Sequence, residues 1–253
     1  MARLMRGRIT TQPERDTVTL ELRLRGWLFR LVLGVGGAIS QAVLFSVLLF
    51  GVAGTTDWRR GWVFIAVWSV NIFIVCVVST TEVMVERLWP LRDVRTMEHR
   101  DLVLLALLGP LMLAWFVLMP FDVFHHRLLG GPPDWLAVIG LALVVVGWVF
   151  ITLATRQNPF ASPLVKLQES RHQQVIDRGV YGVVRHPMYA GAVLLLVGLP
   201  LWLDTYAATI GAFVLVAGLC ARIGIEERVL RRGLDGYDAY MHRVRYRLVP
   251  HLW

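Results

Sequence analysis

Charge is what this sequence is short of. Asp, Glu, Lys and Arg make up 17% of its 253 residues, against roughly 25% in a soluble domain. Hydrophobic residues reach 56% and the mean hydropathy is +0.58. The shortage excludes an ordinary soluble globule, and the apolar excess excludes a disordered chain. Cysteine is equally scarce: Cys76 and Cys220 both sit inside apolar runs, which leaves neither a disulfide framework nor metal-ligand spacing. Internal repeats, low-complexity tracts and interdomain linkers are absent as well. What is abundant is aromatic, with 10 Trp among 11% aromatic residues, as suits rings anchored at a lipid interface. The class to expect is a membrane protein.

A helix of about 20 apolar residues spans a bilayer. Four stretches meet that length or nearly so: Trp27 to Val52, Gly61 to Thr81, Leu102 to Met119 and Trp135 to Ala154. A fifth region, Met188 to Ala221, is divided at Pro200 and Asp204 and reads as a hairpin of two short or tilted spans. The fold class expected is therefore all-α, a polytopic membrane helical bundle of about six segments. Of the 26 Lys and Arg residues, all but Arg59, Arg60 and Arg127 fall on one side of this alternation. The positive-inside rule then places both termini in the cytoplasm, and the formal charge of +8 needs no nucleic-acid partner, since topology and anionic leaflet lipid account for it. The first apolar run is too long, and follows too long a charged leader, for a cleavable signal. Three regions are expected: an Arg-rich leader over 1–26, four spans over 27–155, and 156–253 with the hairpin and the two longest polar stretches, Arg156 to His186 and Glu226 to Trp253. In the leader, Leu20, Leu22, Leu24 and Trp27 leave the period open; in the first span, Gly34, Gly36, Gly37 and Ala38 offer a small-residue packing face.

Three constellations carry chemistry. The densest runs from Gly179 to Gly191, through Tyr181, Arg185, His186, Pro187 and Tyr189. Pro187 disfavours helical geometry at His186 and is preorganised for a first helical position, so a helix should start there. Its unpaired N–H groups, with Arg185 and His186, make an anion site, and Gly179, Gly182 and Gly191 would let backbone approach a ligand closely. The bland alternative is a membrane-entry turn that binds headgroups. The second constellation is Glu226-Glu227, at the polar end of the last apolar run. Neighbours on a helix point about 100° apart, so one carboxylate can hold a ligand while the other pairs with Arg; an i,i+4 pair of Glu227 with Arg231 is the structural alternative. The third is the C-terminal run with Tyr237, Tyr240, Arg245, Tyr246, Arg247 and Trp253, either an interfacial anchor or a lid. In an extended segment Arg245 and Arg247 share a face, where they would orient an anionic headgroup.

These residues, in order, resemble a family. Gly-x-Tyr-x-x-x-Arg-His-Pro-x-Tyr-x-Gly, a helical hairpin, Glu-Glu, and a terminal Tyr-x-x-Tyr followed by Arg-Leu-Val-Pro look like the isoprenylcysteine carboxyl methyltransferase and phospholipid methyltransferase superfamily of integral membrane enzymes. The likeness covers about residues 158 to 253, and upstream the Asn158 to Ser162 and Gln168 to His172 segments are similar to bacterial members. The resemblance implies S-adenosylmethionine in a cytosol-facing pocket that meets a lipid-accessible tunnel, a lipophilic small-molecule or lipid substrate, and no metal. By motif, Tyr181, Arg185, His186, Tyr189, Gly191 and Glu227 would bind the cofactor, and Glu226, Arg245 and Arg247 would serve the reaction. Such a donor carries a carboxylate, an ammonium, hydroxyls and a sulfonium, which call for an anion site, a carboxylate and aromatic or carbonyl faces. A carboxylate acceptor needs no general base, whereas an amine would need Glu226 or His186. Glu82, closing the second span beside Glu86 and Arg87, is a candidate for the substrate tunnel. His125 and His126 beside Asp122 read as a solvated loop rather than a metal site. Two other readings compete: an NADPH-dependent membrane sterol or steroid reductase, whose C-terminal helices are similar but whose Asn before the Tyr is here Met188, and a non-enzymatic transporter or scaffold.

Overall fold

The structure, a computed structural model, describes residues 12–79, 98–162 and 164–253, and only the backbone of 12–25 and Ser170. Glu82 and Glu86 lie outside the described residues. Helices α1 (Gln12–Ala53), α2 (Arg59–Val78), α3 (His99–Phe121), α4 (Asp134–Gln157), α5 (Pro187–Trp202), α6 (Tyr206–Gly233) and α7 (Tyr237–Arg243) follow one another. Five of them, with Gly26–Ala53 as the apolar part of α1, are long and apolar enough to cross a membrane, and α5 is a shorter apolar helix. The protein is a polytopic membrane helical bundle.

Two features differ from the sequence expectation. The leader and the first span are one continuous helix from Gln12, because the Leu, Arg and Glu residues between Arg15 and Arg25 favour helix and nothing between them breaks it. The last two spans are unequal. Pro200 and the αL residue Asp204 end the first within 16 residues, but α6 runs on for 28, past the apolar boundary and through Glu226 and Glu227. Hydropathy marks where the apolar stretch stops, whereas the helix ends only where Leu234 takes extended geometry ahead of Gly236.

Glycine sets the closest packing. On α4, Gly140 and Gly147 are seven residues apart; on α5, so are Gly191 and Gly198. Each faces its counterpart so closely that a Cβ at Gly191 would lie 2.5 Å from the Gly147 carbonyl oxygen, and one at Gly198 2.5 Å from that of Gly140. Two antiparallel backbones thus touch without side chains between them, the small-residue packing that substitutes for hydrophobic drive in lipid. Between α1 and α2, Gly34 meets Phe73 and Cys76, and Gly37 meets Ile72, whereas Gly36 faces open space. Aromatic edges fill the centre: Trp68 packs on Trp148 at 4.6 Å and on Phe45 at 4.7 Å. At the end of the bundle away from α7, Arg60 pairs with Asp134 and Asp204, and Arg127 with Asp204. Asp122, fully buried, accepts from the Thr205 hydroxyl at 2.6 Å and from the Leu128 amide. His125, beside it, hydrogen-bonds the Val52 carbonyl.

Candidate functional site

Pro187 opens α5, and His186 ahead of it sits at φ −124° and ψ 61°, outside helical geometry, as a residue preceding proline should. Upstream, a turn over Gly179–Gly182 is set by Gly179 at φ +61°, where the Gln157 side chain approaches too closely for any Cβ and accepts from the Val180 amide. The chain then extends into Arg185 and His186, whose amides donate to the carbonyls of Tyr246 and Arg247, both at 2.9 Å. Two backbone bonds thus fasten the C-terminal tail across the head of α5. The tail closes on itself, since the Trp253 carbonyl accepts from the amides of Arg247 and Leu248.

The charged side chains converge where α5, α6 and the tail meet. Glu227 takes the Arg185 guanidinium through Nε and Nη2, both at 2.8 Å, on one oxygen, with His186 Nε2 at 3.3 Å. Its other oxygen accepts from Arg247 Nε at 3.0 Å and Nη2 at 2.9 Å. Arg185 Nη1 donates onward to the carbonyls of Val244 and Arg245. One carboxylate therefore ties α6 to the α5 motif and to the tail. Side-chain exposure is 4% for Arg185 and 5% for Glu227, so these are charge-assisted bonds in a desolvated setting. Glu226 points elsewhere: its carboxylate accepts from the Tyr189 hydroxyl at 2.7 Å. Behind Tyr189, Arg222 lies 6.0 Å over the ring and is held by Asp101 of α3 through two bonds of 2.7 and 3.1 Å. Asp101 is fully buried and also accepts from the Val165 amide.

Beside this cluster opens a narrow hollow of about 90 Å³ that widens to the outside. Tyr181, Arg185, His186, Tyr189 and Glu226 line it, so five of the expected residues share one cavity. Glu227 does not line it; its carboxylate is taken up by two arginines and His186. Gly191 does not line it either, and the close approach it permits is that of Gly147 across the helix crossing. The expected shared face of Arg245 and Arg247 is absent. Arg247 turns in to Glu227 and stacks over Trp253 at 5.1 Å, while Arg245 is exposed, because the tail bends at Arg247 instead of continuing as a strand. Arg231 pairs with Asp238 and not with Glu227.

Of the rest of the lining, Tyr237 and Tyr240 and the Asn158 to Ser162 segment stood out in the sequence without a role in the pocket, and Lys166 and Gln173 were not singled out. Asn158, Phe160, Lys166 and Gln173 come from the α4–α5 connection, and Tyr237 and Tyr240 from α7. Lys166 is buried, and it is the chain's one lysine among 26 basic residues. That lone substitution of ammonium for guanidinium was the available signal. The loop is braced by Gln168, which donates to the Phe160 carbonyl and accepts from Arg171. Burial holds the hydroxyls of Tyr237 and Tyr240 well above the usual phenol range, so both stay neutral, and Tyr240 donates to the Tyr181 carbonyl at 2.8 Å. On the other side of the Val183–Tyr189 segment an apolar groove of about 400 Å³ runs between Phe150, Val183, Val193, Leu194 and Leu248. Among the described residues no group of three or more His, Cys, Asp or Glu gathers as for a metal ion.

Residues 135–235, from α4 to the turn before α7, match the phospholipid methyltransferase family. In this region the chain is similar to the membrane methyltransferases. Protein-S-isoprenylcysteine O-methyltransferase B of Arabidopsis thaliana is 29% identical over 114 residues, which are 44% of this chain and 57% of that protein. The chain thus spans just over half the length of that curated relative. The match to the superfamily covers the hollow's Arg185, His186, Tyr189 and Glu226; Arg247 and the tail lie beyond it.

Proposed function

We propose that this protein transfers a methyl group from S-adenosylmethionine to a lipophilic acceptor held in the membrane, at a site that faces the cytoplasm. The observation that carries this reading is that a single segment, Val183 to Tyr189, has a polar hollow on one side and an apolar groove on the other. A water-soluble donor and a lipid-soluble acceptor can then approach neighbouring residues of that segment from different phases, Arg185 to Tyr189 from the hollow and Val183 and Val184 from the groove. The sidedness rests on the basic residues, which concentrate at the ends that carry the site.

The hollow's donor set fits such a cofactor. Lys166 and the Arg185–His186 corner offer positive groups to a carboxylate, Glu226 offers an acceptor to an ammonium or hydroxyl, and Phe160, Tyr181 and Tyr237 offer aromatic faces to a purine or sulfonium. When bound, the donor supplies a methyl group on a positively charged sulfur. The chain's own part is to bind, orient and exclude water. Glu227 fixes Arg185, His186 and Arg247 relative to one another. Asp101 and Arg222 brace Tyr189, which holds Glu226. Arg247, about one-third exposed, would orient the acceptor, with Arg245 exposed beside it. An arginine at that position favours a carboxylate acceptor, which attacks without prior loss of a proton, so positioning in line supplies most of the acceleration. The relative's name as an O-methyltransferase supports the same choice.

The test is ligand binding to detergent-purified protein, followed by mass spectrometry of lipid extracts incubated with the donor. S-adenosylhomocysteine should raise the melting temperature while NADPH does not, and a lipid-soluble product should gain the mass of one methylene. Stabilisation by NADPH alone would overturn the assignment in favour of a reductase. A methylated amine in place of an ester would keep the activity and reassign Glu226 or His186 as the base.

A further inference from the structure

A second groove, on the side of α4 turned away from the glycine seam, carries chemistry the candidate site does not use. It opens between α2 and α4, with about 470 Å³ of room, and is walled by Val67, Val70, Ile74, Val145, Val149 and Leu153. These recur three and four residues apart, one face of each helix. Three polar residues interrupt the apolar wall: Asn71, Trp148 and Thr152. Asn71 is 9% exposed and Trp148 8%. The Asn71 Oδ1, Trp148 Nε1 and Thr152 Oγ1 atoms are buried and have no hydrogen-bond partner among the described residues.

Depth makes this costly. Asn71 lies ~18 Å along α2 from Arg59 and ~10 Å from Val78 at 1.5 Å per residue, inside the hydrocarbon of a bilayer. No bulk water stands in there, and an unmade hydrogen bond costs several kcal/mol. A helix seam needing only shape would carry Val or Leu at all three positions. The three groups that line this groove instead offer complementary chemistry: Oδ1 accepts, Nε1 donates and the threonine hydroxyl does both. A small neutral group that donates and accepts at once satisfies it. An ionised headgroup would add the cost of a charge at that depth, and an alkyl chain would leave all three groups unmet.

We propose that this groove binds a single-chain lipid whose polar end is a hydroxyl, donating to Asn71 and accepting from Trp148 or Thr152, with its chain along Val70, Ile74, Val149 and Leu153. The site shares no lining residue with the hollow or with the groove beside the tail, so it stands apart from the methyl-transfer reading.

The experiment compares retention of hexadecanol and hexadecane by the full-length protein in detergent, measured by mass spectrometry after gel filtration. Wild type should retain the alcohol about tenfold over the alkane, a difference of about 1.4 kcal/mol. Asn71→Leu should bring the ratio to near one. Thr152→Val, a near-isosteric change that guards against a misfolded Asn71 variant, should lower it several-fold. Equal retention of alcohol and alkane by wild type overturns the proposal, as does an undiminished preference in both variants. A concentration-dependent dimer that Asn71→Leu abolishes also overturns it, because the polar groups would then belong to a contact between copies.

Discussion

The two ends of the bundle each gather arginines around a carboxylate, and they do so in different surroundings. At one end Arg60 and Arg127 share Asp204, and Asp134 completes the group; side-chain exposure there runs from 22% for Asp204 to 96% for Asp134. At the other, Arg185, His186 and Arg247 share Glu227 with almost no solvent at the carboxylate. The first set pins loops that emerge from the membrane, and its screened pairs are worth little each. The second replaces lost hydration with fixed partners, so removing one leaves charges stranded. Similar residue types thus make a clasp at one end and a preorganised wall of a cavity at the other, and burial is what separates them.

The comparison breaks most directly at Glu227. Glu227→Gln strands two guanidinium groups at once, and the expected loss is roughly 3 to 5 kcal/mol of stability, read as a lower melting temperature and faster proteolysis of the tail after Leu234. S-adenosylhomocysteine affinity should fall at least tenfold. A variant that melts with wild type would show that the inner cluster is no more than a surface clasp. Asp101→Asn comes next: it removes the charge that Arg222 and the Val165 amide share, at about 2 kcal/mol, and should weaken S-adenosylhomocysteine several-fold as Tyr189 and Glu226 lose their brace. Partial rescue of affinity by Asp101→Glu would separate positioning from bulk stability, and unchanged affinity in Asp101→Asn would remove α3 from the site. The smallest effect belongs to Asp134→Asn, under about 1 kcal/mol and with ligand binding unchanged. A larger shift there would erase the contrast between the two ends.

Several parts of this arrangement were legible in the order of residues. Arg185-His186-Pro187 marked the start of α5, since proline at the first helical position forbids helical geometry behind it. Adjacent glutamates on one helix had to diverge, and Glu226 and Glu227 do, one to Tyr189 and one to Arg185 and Arg247. Which of the two would line the cavity was not legible, because it depends on the rotation of α6 against α5. Nor was the role of Gly191, which a ligand or a neighbouring helix explains equally well until Gly147 is seen opposite it. Asp101 sits 121 residues from Arg222, a pairing no local pattern announces.

Composition and periodicity alone determined that this chain enters a membrane as helices and which of its polar segments gather at one side. Transfer of apolar side chains and backbone saturation in lipid depend on local sequence, so they can be read from it. Only the tertiary structure decided how the helices are rotated about their own axes. Rotation is settled by long-range contact, through the glycine crossings of α4 and α5 and the arginines drawn to Glu227, and it is rotation that turns a string of charged residues into a cavity wall.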